Sequence, residues 1–486
     1  MVNCERRVFI SGGLAFAAWG LRGAITSEPS RLRIGILSDI HVTPDYNGPF
    51  FEKALRYFDA CKVDGVLIAG DLTQSGPRAE IETVAKIWFK VFPNDCRSDG
   101  THIERLFLLG NHDADGIRFR KDLVDKLPPE AEMQANWFCC NRAKFWEEYF
   151  HESYEPIFYK ELKGYKFILK NWVSSGWGDK DLMESFFAQH AAELKGDKPF
   201  FYAQHPHPHG TCCQSWTEGG SPWADASDDG LSTRVLSGYP NCIAFSGHSH
   251  VTLTDEHSIW QGAFTSVGCG NLSGYAFTFP GRENGHFGDE PGIKTPLPLQ
   301  MPPIRFTEAR QGMVMDVFDD RIVLERRDFL HDCPLGPDWV IPLPAPGKRP
   351  YDFKTRSKSL TAPEFAAEAR VTVKTEKGRD RLGTERDQVI VSFPTIGGGP
   401  HHLRAHDFAV RMELRTGDLT RTVVEKFVYS PGMLLPEQHD RAPATCAFAK
   451  SEVPLKREVR FVVTPRDCWG NAGAPIASEW RKFCDF

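Results

Sequence analysis

The sequence has no apolar run as long as the ~18–20 residues that a membrane-spanning helix requires. It has no excess of positive charge either, because 58 basic residues face 64 acidic ones and the formal net charge is −6. This balance excludes a broad surface for nucleic acid or anionic membrane. No Cys-x-x-Cys motif occurs, so a zinc knuckle or a thioredoxin-type site has no support. The remaining composition, 25% charged and 41% hydrophobic, is that of a globular protein, and 486 residues predict two or three domains.

The first 27 residues have the pattern of an export signal. Arg6 and Arg7 precede a short apolar stretch at residues 10–20, and Arg22 follows it. The paired arginines resemble a twin-arginine signal, which a receptor reads as an address. An N-terminal helix with a chance arginine pair is the alternative. We therefore expect residues 1–27 to be a removable signal peptide and the protein to be periplasmic or secreted, as an exported bacterial protein.

The cysteines give an ambiguous indication of the compartment. Twelve of the 13 remain when Cys4 is removed with the signal, an even number that is compatible with disulfides. Free buried thiols are the alternative. Two pairs are adjacent in sequence, at residues 139–140 and 212–213, and we expect distant partners for them because adjacent cysteines rarely bridge each other. No cysteine enters the predicted chemistry.

The hydrophobic pattern divides the rest of the chain into three parts. In residues 31–332, short apolar runs alternate with helical segments, which is typical of buried strands in an α/β fold. Residues 333–354 are rich in proline and predict a linker. Short β-branched and aromatic runs in residues 355–486 predict a small all-β sandwich of the immunoglobulin type. This last domain is either a glycan- or wall-binding module or a spacer that packs on the first domain.

Five predicted strands of the first domain end in polar side chains that can bind metal. Ligands gather at the carboxyl edge of such sheets. Carboxylate, amide and imidazole donors without thiolate suit Mn, Fe or Zn. Seven ligands exceed one tetrahedral site and fit two ions that share a carboxylate, ~3.5–4 Å apart. The candidate ligands are Asp39, His41, Asp71, Asn111, His205, His248 and His250.

These residues lie in motifs that resemble the calcineurin-like metallophosphoesterase superfamily: Asp39-x-His41, Gly70-Asp71, Gly110-Asn111-His112-Asp113, His205 and Gly247-His248-x-His250. The resemblance implies a four-layer sandwich of two mixed sheets flanked by helices. It implies that Asp39, His41 and His250 hold one ion, that Asp71 bridges, and that Asn111, His205 and His248 hold the other. It also implies hydrolysis of a phosphodiester or phosphomonoester by a metal-bridging hydroxide, with His112 as general acid.

Departures from the family motifs narrow the subtype. Gln74 and Ser75 stand where phosphoprotein phosphatases carry Asp and Arg, and no Tyr stands at position 74, where purple acid phosphatases carry a tyrosine ligand. The motifs look most like the cyclic-nucleotide phosphodiesterase branch. That branch usually has an acidic residue at position 74 to orient the catalytic histidine, so the orientation of His112 is left open.

Several residues keep two interpretations. His207 and His209 alternate with prolines after His205 and either contact substrate or lie in a solvated turn. Arg118 and Arg120 either clamp a phosphate or form surface ion pairs. For the whole chain, a hydrolase acting on a small phosphate ester is preferred, and a non-catalytic receptor for phosphate or metal on the same fold is the alternative.

Overall fold

The computed structural model describes residues 29–123, 127–172, 180–213, 215, 230–278, 304–345, 347–359, 361–379, 385–396, 404–430 and 443–484. The predicted signal peptide at residues 1–27 lies outside them. No helix within the described residues has the length and apolarity needed to cross a membrane.

The described helices fall mostly in the first two thirds of the chain: α1 (Gly48–Ala60), α2 (Arg78–Val91), α3 (Asn111–Ala114), α4 (Glu130–Asn136), α5 (Arg142–Phe150), α6 (Lys180–Gln189), α7 (Ala191–Leu194), α8 (Leu231–Leu236) and α9 (Phe353–Ser359).

The described strands run along the whole chain: β1 (Leu32–Leu37), β2 (Gly65–Ala69), β3 (Glu104–Leu108), β4 (Ile157–Leu162), β5 (Tyr165–Lys170), β6 (Phe200–Gln204), β7 (Cys242–Ser246), β8 (Ile259–Gln261), β9 (Thr265–Gly268), β10 (Gly274–Thr278), β11 (Ile304–Ala309), β12 (Gln311–Val317), β13 (Arg321–Asp328), β14 (Cys333–Pro334), β15 (Trp339–Pro342), β16 (Thr372–Arg379), β17 (Glu385–Phe393), β18 (Asp407–Thr416), β19 (Leu419–Tyr429), β20 (Ala444–Ala449), β21 (Glu458–Arg466), β22 (Ile476–Ala477) and β23 (Arg481–Lys482).

Two mixed sheets form the first part of the molecule, as predicted. One has the order β14-β13-β12-β1-β2-β3, with β1, β2 and β3 parallel and β12 antiparallel to β1. The other has the order β4-β5-β6-β7-β9-β8, with β5, β6, β7 and β9 parallel. One apolar core joins side chains of both sheets with those of α1 and α2, and a second core lies under α6 and α8. This arrangement of mixed sheets flanked by helices confirms the predicted fold class.

The predicted linker is wrong over its first ten residues. β14 and β15 both pair with β13 at the edge of the first sheet, and Trp339 and Ile341 are buried there. The high proportion of proline predicts a linker, but strands at the edge of a sheet tolerate proline. Pro334 and Pro342 each end a short edge strand, where a missing N–H breaks no central ladder. The first sheet therefore extends beyond residue 332.

The C-terminal part is built of strands. Its sheets have the orders β16-β17-β20 and β19-β18-β21-β22, and β23 also pairs with β21. Alternate side chains of these strands, among them Val391, Phe408 and Phe461, share one apolar core. This part packs on the first, since the rings of Trp469 and His257 lie 3.9 Å apart between centroids.

Of the two interpretations of the cysteines, free thiols hold for the described residues. The twelve described cysteines are all free, and most are buried. The predicted distant partners of the adjacent cysteines are not found among the described residues, and Cys139 Sγ lies 3.8 Å from Cys140 Sγ. The thiols fill apolar space in the cores, where cysteine behaves as a small hydrophobic residue.

Candidate metal centre

The carboxyl ends of the parallel strands bring the seven predicted ligands together. β1 leads into Asp39 and His41, β2 into Asp71 and β3 into Asn111. In the other sheet, β6 leads into His205, and β7 leads into the segment with His248 and His250. Because the two sheets face each other, side chains that are separated by up to 211 positions in sequence meet in one polar cluster.

The backbone at this edge is strained. Five candidates have left-handed φ values, namely Asp39 (50°), His41 (42°), Asp71 (51°), His248 (68°) and His250 (52°). Residues other than glycine rarely adopt this conformation, and each such residue costs about 1–3 kcal/mol that the surrounding fold must offset. The bends turn the side chains back over the ends of the strands.

Glycines at the same edge leave room for the cluster. A Cβ on Gly70, which has a φ of 91°, would overlap the ring of His205. A Cβ on Gly110 would overlap the carboxylate of Asp71, and one on Gly247 would overlap Ser38 and Asp39. The glycines beside the ligands are therefore required by close approach of side chains to the backbone.

The donor atoms form three overlapping groups, each with all its donor atoms within 4.8 Å of one another. They are Asp39 with His41 and His250, His41 with Asp71 and His112, and Asp71 with His205 and His248. The first and third groups contain ligands that the sequence assigned to separate ions. Asp71 belongs to two groups, which is the position expected of a shared carboxylate.

His205 shows that the cluster fits a cation. Its Nδ1 donates to the carbonyl of Ala69 at 2.8 Å, so Nε2 of the neutral ring carries a lone pair. That nitrogen lies 3.1 Å from Asp71 Oδ2 and 3.1 Å from Asn111 Oδ1, which also carry lone pairs. Three acceptors this close repel one another unless a proton or a metal ion lies among them. Metal ligands of this kind are oriented by a hydrogen bond from the other ring nitrogen.

The charges of the cluster also show that it lacks positive charge. Burial by itself lowers the pKa of His205, but Asp71 and Asp39 outweigh burial and raise it to about 9. Burial raises the pKa of Asp39, yet His250 and His205 bring it down to about 2. Burial and the neighbouring His112 lower the pKa of His41 to about 3. The two carboxylates thus stay ionised in a buried place and attract positive charge.

Part of the chain matches a known protein family. Residues 32–252 match the family model described as calcineurin-like phosphoesterase. This segment is a calcineurin-like phosphoesterase domain. Comparison with curated protein sequences gives no significant match.

Several solved structures are similar to the phosphoesterase domain at low identity. A dimetal phosphatase from Danio rerio has 9% identity and a TM-score of 0.39, and the match covers 64% of this chain and 99% of that one. GAP50, the anchor in the inner membrane complex of Plasmodium, has 12% identity, a TM-score of 0.38 and coverage of 65% and 90%. The purple acid phosphatase PPD1 from yellow lupin seeds has 14% identity, a TM-score of 0.39 and coverage of 64% and 53%.

His112 is held in the phosphoesterase domain without an acidic partner. Its Nδ1 donates to the main-chain carbonyl of Gln74 at 2.6 Å, and its backbone N–H donates to Asp71 at 2.9 Å. The ring stacks on Phe119, with centroids 3.9 Å apart and planes 2° apart. The missing acidic side chain at position 74 is thus replaced by a backbone oxygen and an aromatic ring.

Two features of the site were missed by the sequence reasoning: the hydrogen-bonding role of Asp113, which entered only as part of a motif, and the position of Trp172. Asp113 accepts hydrogen bonds from the N–H groups of Gly110, Leu72 and Thr73 and from the hydroxyl of Thr73, and so ties the ends of β2 and β3 together. Trp172 follows β5, and its ring centroid lies 6.2 Å from that of His205 and 5.9 Å from that of His248. The available signal for Trp172 was its position directly after the end of an apolar run, because the run at β5 ends at the same edge of its sheet as the runs that precede the predicted ligands.

The histidines and arginines with two interpretations do not belong to the three donor groups of the candidate metal centre. His207 is fully buried and contacts Ser249, so the solvated turn is wrong for it. The side chain of Arg118 is 74% exposed and lies 4.0 Å from Asp115, and Arg120 pairs with Asp122 at 2.6 Å. These arginines form the surface ion pairs of the second interpretation.

Proposed function

We propose that the protein is a binuclear-metal phosphoesterase that hydrolyses a small phosphodiester or phosphomonoester. The observation that carries this proposal is the convergence of lone pairs from His205, Asn111 and Asp71 at the shared edge of the two sheets. A family of phosphoester hydrolases supplies the type of reaction. Oxygen and nitrogen donors of this kind suit Mn, Fe or Zn.

The proposed ligand sets follow the donor groups. Asp39, His41 and His250 would hold one ion, and His250 Nε2 is 3.1 Å from Asp39 Oδ1 and 3.3 Å from His41 Nε2. Asn111, His205 and His248 would hold the other, and His248 Nδ1 is 3.3 Å from His205 Nε2. Asp71 would be a ligand of both.

Two ions bound there would supply an activated water molecule near neutral pH and neutralise charge on the phosphoryl oxygens. The side chains supply the remaining steps. Because the Nδ1–H of His112 is engaged by Gln74, Nε2 is the nitrogen that gives a proton to the departing alkoxide. Phe119 holds the plane of the ring during that transfer.

The proposal also covers subtype and location. We propose that the protein is nearest the cyclic-nucleotide phosphodiesterase branch, which its motifs resemble most. We also propose that the arginine pair at residues 6–7 directs export to the periplasm or beyond, and that an immunoglobulin-like domain follows the catalytic one. Changing both arginines to lysine should keep the precursor in the cytoplasm. Unchanged export of that variant would contradict the twin-arginine route.

The decisive experiment measures hydrolysis of bis(nitrophenyl) phosphate and nitrophenyl phosphate by the full chain loaded with Mn, Zn or Fe. We expect turnover that requires metal and disappears with a chelator. Metal content is measured on the same samples. Two bound ions without turnover on either ester or on a panel of nucleotides, cyclic nucleotides, lipid headgroups and sugar phosphates would instead identify a non-catalytic receptor.

A further inference from the structure

A further group of side chains that can bind metal lies in the phosphoesterase domain, apart from the three overlapping groups of the candidate metal centre. It consists of His207, Cys212 and Cys213, whose donor atoms all lie within 4.8 Å of one another. All three residues are buried, with at most 1% of their surface exposed. From these residues we infer a zinc site to which the protein supplies two thiolates and one imidazole, three of the four ligands of a tetrahedral ion.

The spacing of the donors fits a tetrahedral ion. Zinc lies about 2.3 Å from a thiolate sulfur and about 2.0–2.1 Å from an imidazole nitrogen, and a tetrahedral angle then separates the two ligand atoms by roughly 3.6 Å. Cys212 Sγ lies 3.6 Å from His207 Nδ1. The pair therefore already has the separation of two ligands on one zinc ion.

Neighbouring hydroxyl groups contact the His207 ring and the Cys212 sulfur. Nε2 of His207 lies 2.8 Å from Ser249 Oγ, and in the tautomer in which Nε2 donates to this hydroxyl, Nδ1 keeps a lone pair on the side of the cysteines. The hydroxyl of Ser266 lies 3.3 Å from Cys212 Sγ, within hydrogen-bond distance of the sulfur. In the metal-free protein, burial raises the pKa of the Cys212 thiol, but a hydrogen bond from Cys213 and the proximity of His207 outweigh burial and hold that pKa well below its usual range. Burial and the neighbouring Cys212 hold the pKa of the Cys213 thiol well above its usual range, so an ion would have to displace the proton of Cys213. A thiolate is the form that binds metal.

The backbone brings two consecutive cysteines to one side. Cys213 has a left-handed φ of 52°, a strained conformation for a residue with a side chain. Its N–H donates to the carbonyl of His257 at 2.9 Å, which fixes the bend. Consecutive side chains of an extended chain would point to opposite sides. The strain is explained if both sulfurs bind the same ion.

The site would stabilise the segment that carries two candidate catalytic ligands. Ser249, the hydrogen-bond partner of His207, stands between His248 and His250. Zinc at His207, Cys212 and Cys213 would therefore fix the position of that segment without contacting substrate. The inference is independent of phosphoester hydrolysis, since it concerns a separate ion.

Cobalt substitution tests the site without any activity measurement. The full chain is prepared reduced and free of metal, and Co²⁺ is added while absorption and bound metal are measured. Thiolate ligands give a near-ultraviolet charge-transfer band, and the candidate catalytic groups contain no thiolate to produce one. We expect the band in the wild-type protein and its displacement by Zn²⁺. Asp71→Asn should lose catalytic ions and keep the band, which separates this inference from the proposed function.

Matched serine variants assign the band. Cys212→Ser and Cys213→Ser should each bind one equivalent less and lose at least half of the band, whereas Cys242→Ser, which changes another fully buried cysteine, should match the wild type. Circular dichroism checks that each variant folds. A reduced wild-type protein with no thiolate band, a band that is undiminished in both variants, or a Cys212–Cys213 disulfide found by mass spectrometry in the protein as isolated would overturn the inference.

Discussion

Two buried carboxylates in different parts of the molecule have opposite surroundings. In the C-terminal part, Asp407 lies 3.1 Å from the guanidinium of Arg466 and 2.8 Å from Nδ1 of His406. In the first part, Asp71 has no lysine or arginine partner among the described residues and is met by histidines and by the N–H of His112. A buried negative charge needs a compensating cation. Asp407 is paired with a guanidinium that keeps its charge, whereas Asp71 is met by imidazoles, whose positive charge is lost as the pH rises and can be replaced by that of a metal ion.

The largest effect is expected when each carboxylate is replaced by its amide, because this distinguishes a metal ligand, Asp71, from a structural ion-pair partner, Asp407. Asp71→Asn should reduce phosphoesterase activity to the background rate and lower the content of bound metal, because the shared ligand is weakened. Asp407→Asn should keep both and lower the free energy of unfolding by about 3–5 kcal/mol, since Arg466 loses its buried partner. Assay, elemental analysis and denaturant unfolding measure the three quantities. Normal activity in Asp71→Asn would break the comparison.

The next largest effect is expected at His112. His112→Ala should lower kcat by about 10²–10⁴-fold for an ester with a poor leaving group, because the departing alkoxide lacks a proton donor. An ester with a good leaving group should lose much less. His102→Ala, which changes an exposed histidine paired with Glu104, is the matched control and should retain full activity. Equal losses for the two esters would argue against the role of a general acid.

Asp113 should matter for stability. Asp113→Ala leaves three buried N–H groups and one hydroxyl without their acceptor, so the free energy of unfolding should fall by about 2–4 kcal/mol. Asp122→Ala, at an exposed ion pair with Arg120, should change it by less than about 0.5 kcal/mol. Thermal or denaturant unfolding measures both. Similar stability of the two variants would remove the distinction between a buried acceptor and a surface charge.

The smallest predicted effect is a pH dependence of metal binding. In the metal-free protein, the raised pKa of His205 adds stability that is complete below its ordinary value of 6.5 and is lost as the pH rises through about 9. A metal ion must displace that proton, so affinity should rise about tenfold per pH unit up to pH 9 and then level off. Calorimetry in buffers of different ionisation enthalpy detects the released proton. Affinity that is constant between pH 7 and 9 would contradict the prediction.

The sequence predicted those elements whose hydrophobic pattern is local. The apolar run at residues 32–37 coincides with β1, and the helical pattern at residues 79–92 lies within a residue of α2 at each end. β14 and β15 were missed because their prolines resemble a linker, and only pairing with β13 shows that an edge strand tolerates them. Trp172 was missed because its relation to His205 depends on the neighbouring order of β5 and β6.

By itself, the sequence predicted which side chains gather at one edge of the sheets and would carry the proposed chemistry, because polar residues at the ends of apolar runs stand out against local periodicity. The order of those motifs also indicated the family whose model residues 32–252 match. The tertiary structure decided how they act. The two facing sheets bring His205, Asn111 and Asp71 to 3.1 Å contacts, and a backbone oxygen of Gln74 takes the place of a missing acidic side chain. Such contacts join residues far apart in the chain, so they follow from how the strands are ordered and packed, which no local pattern encodes.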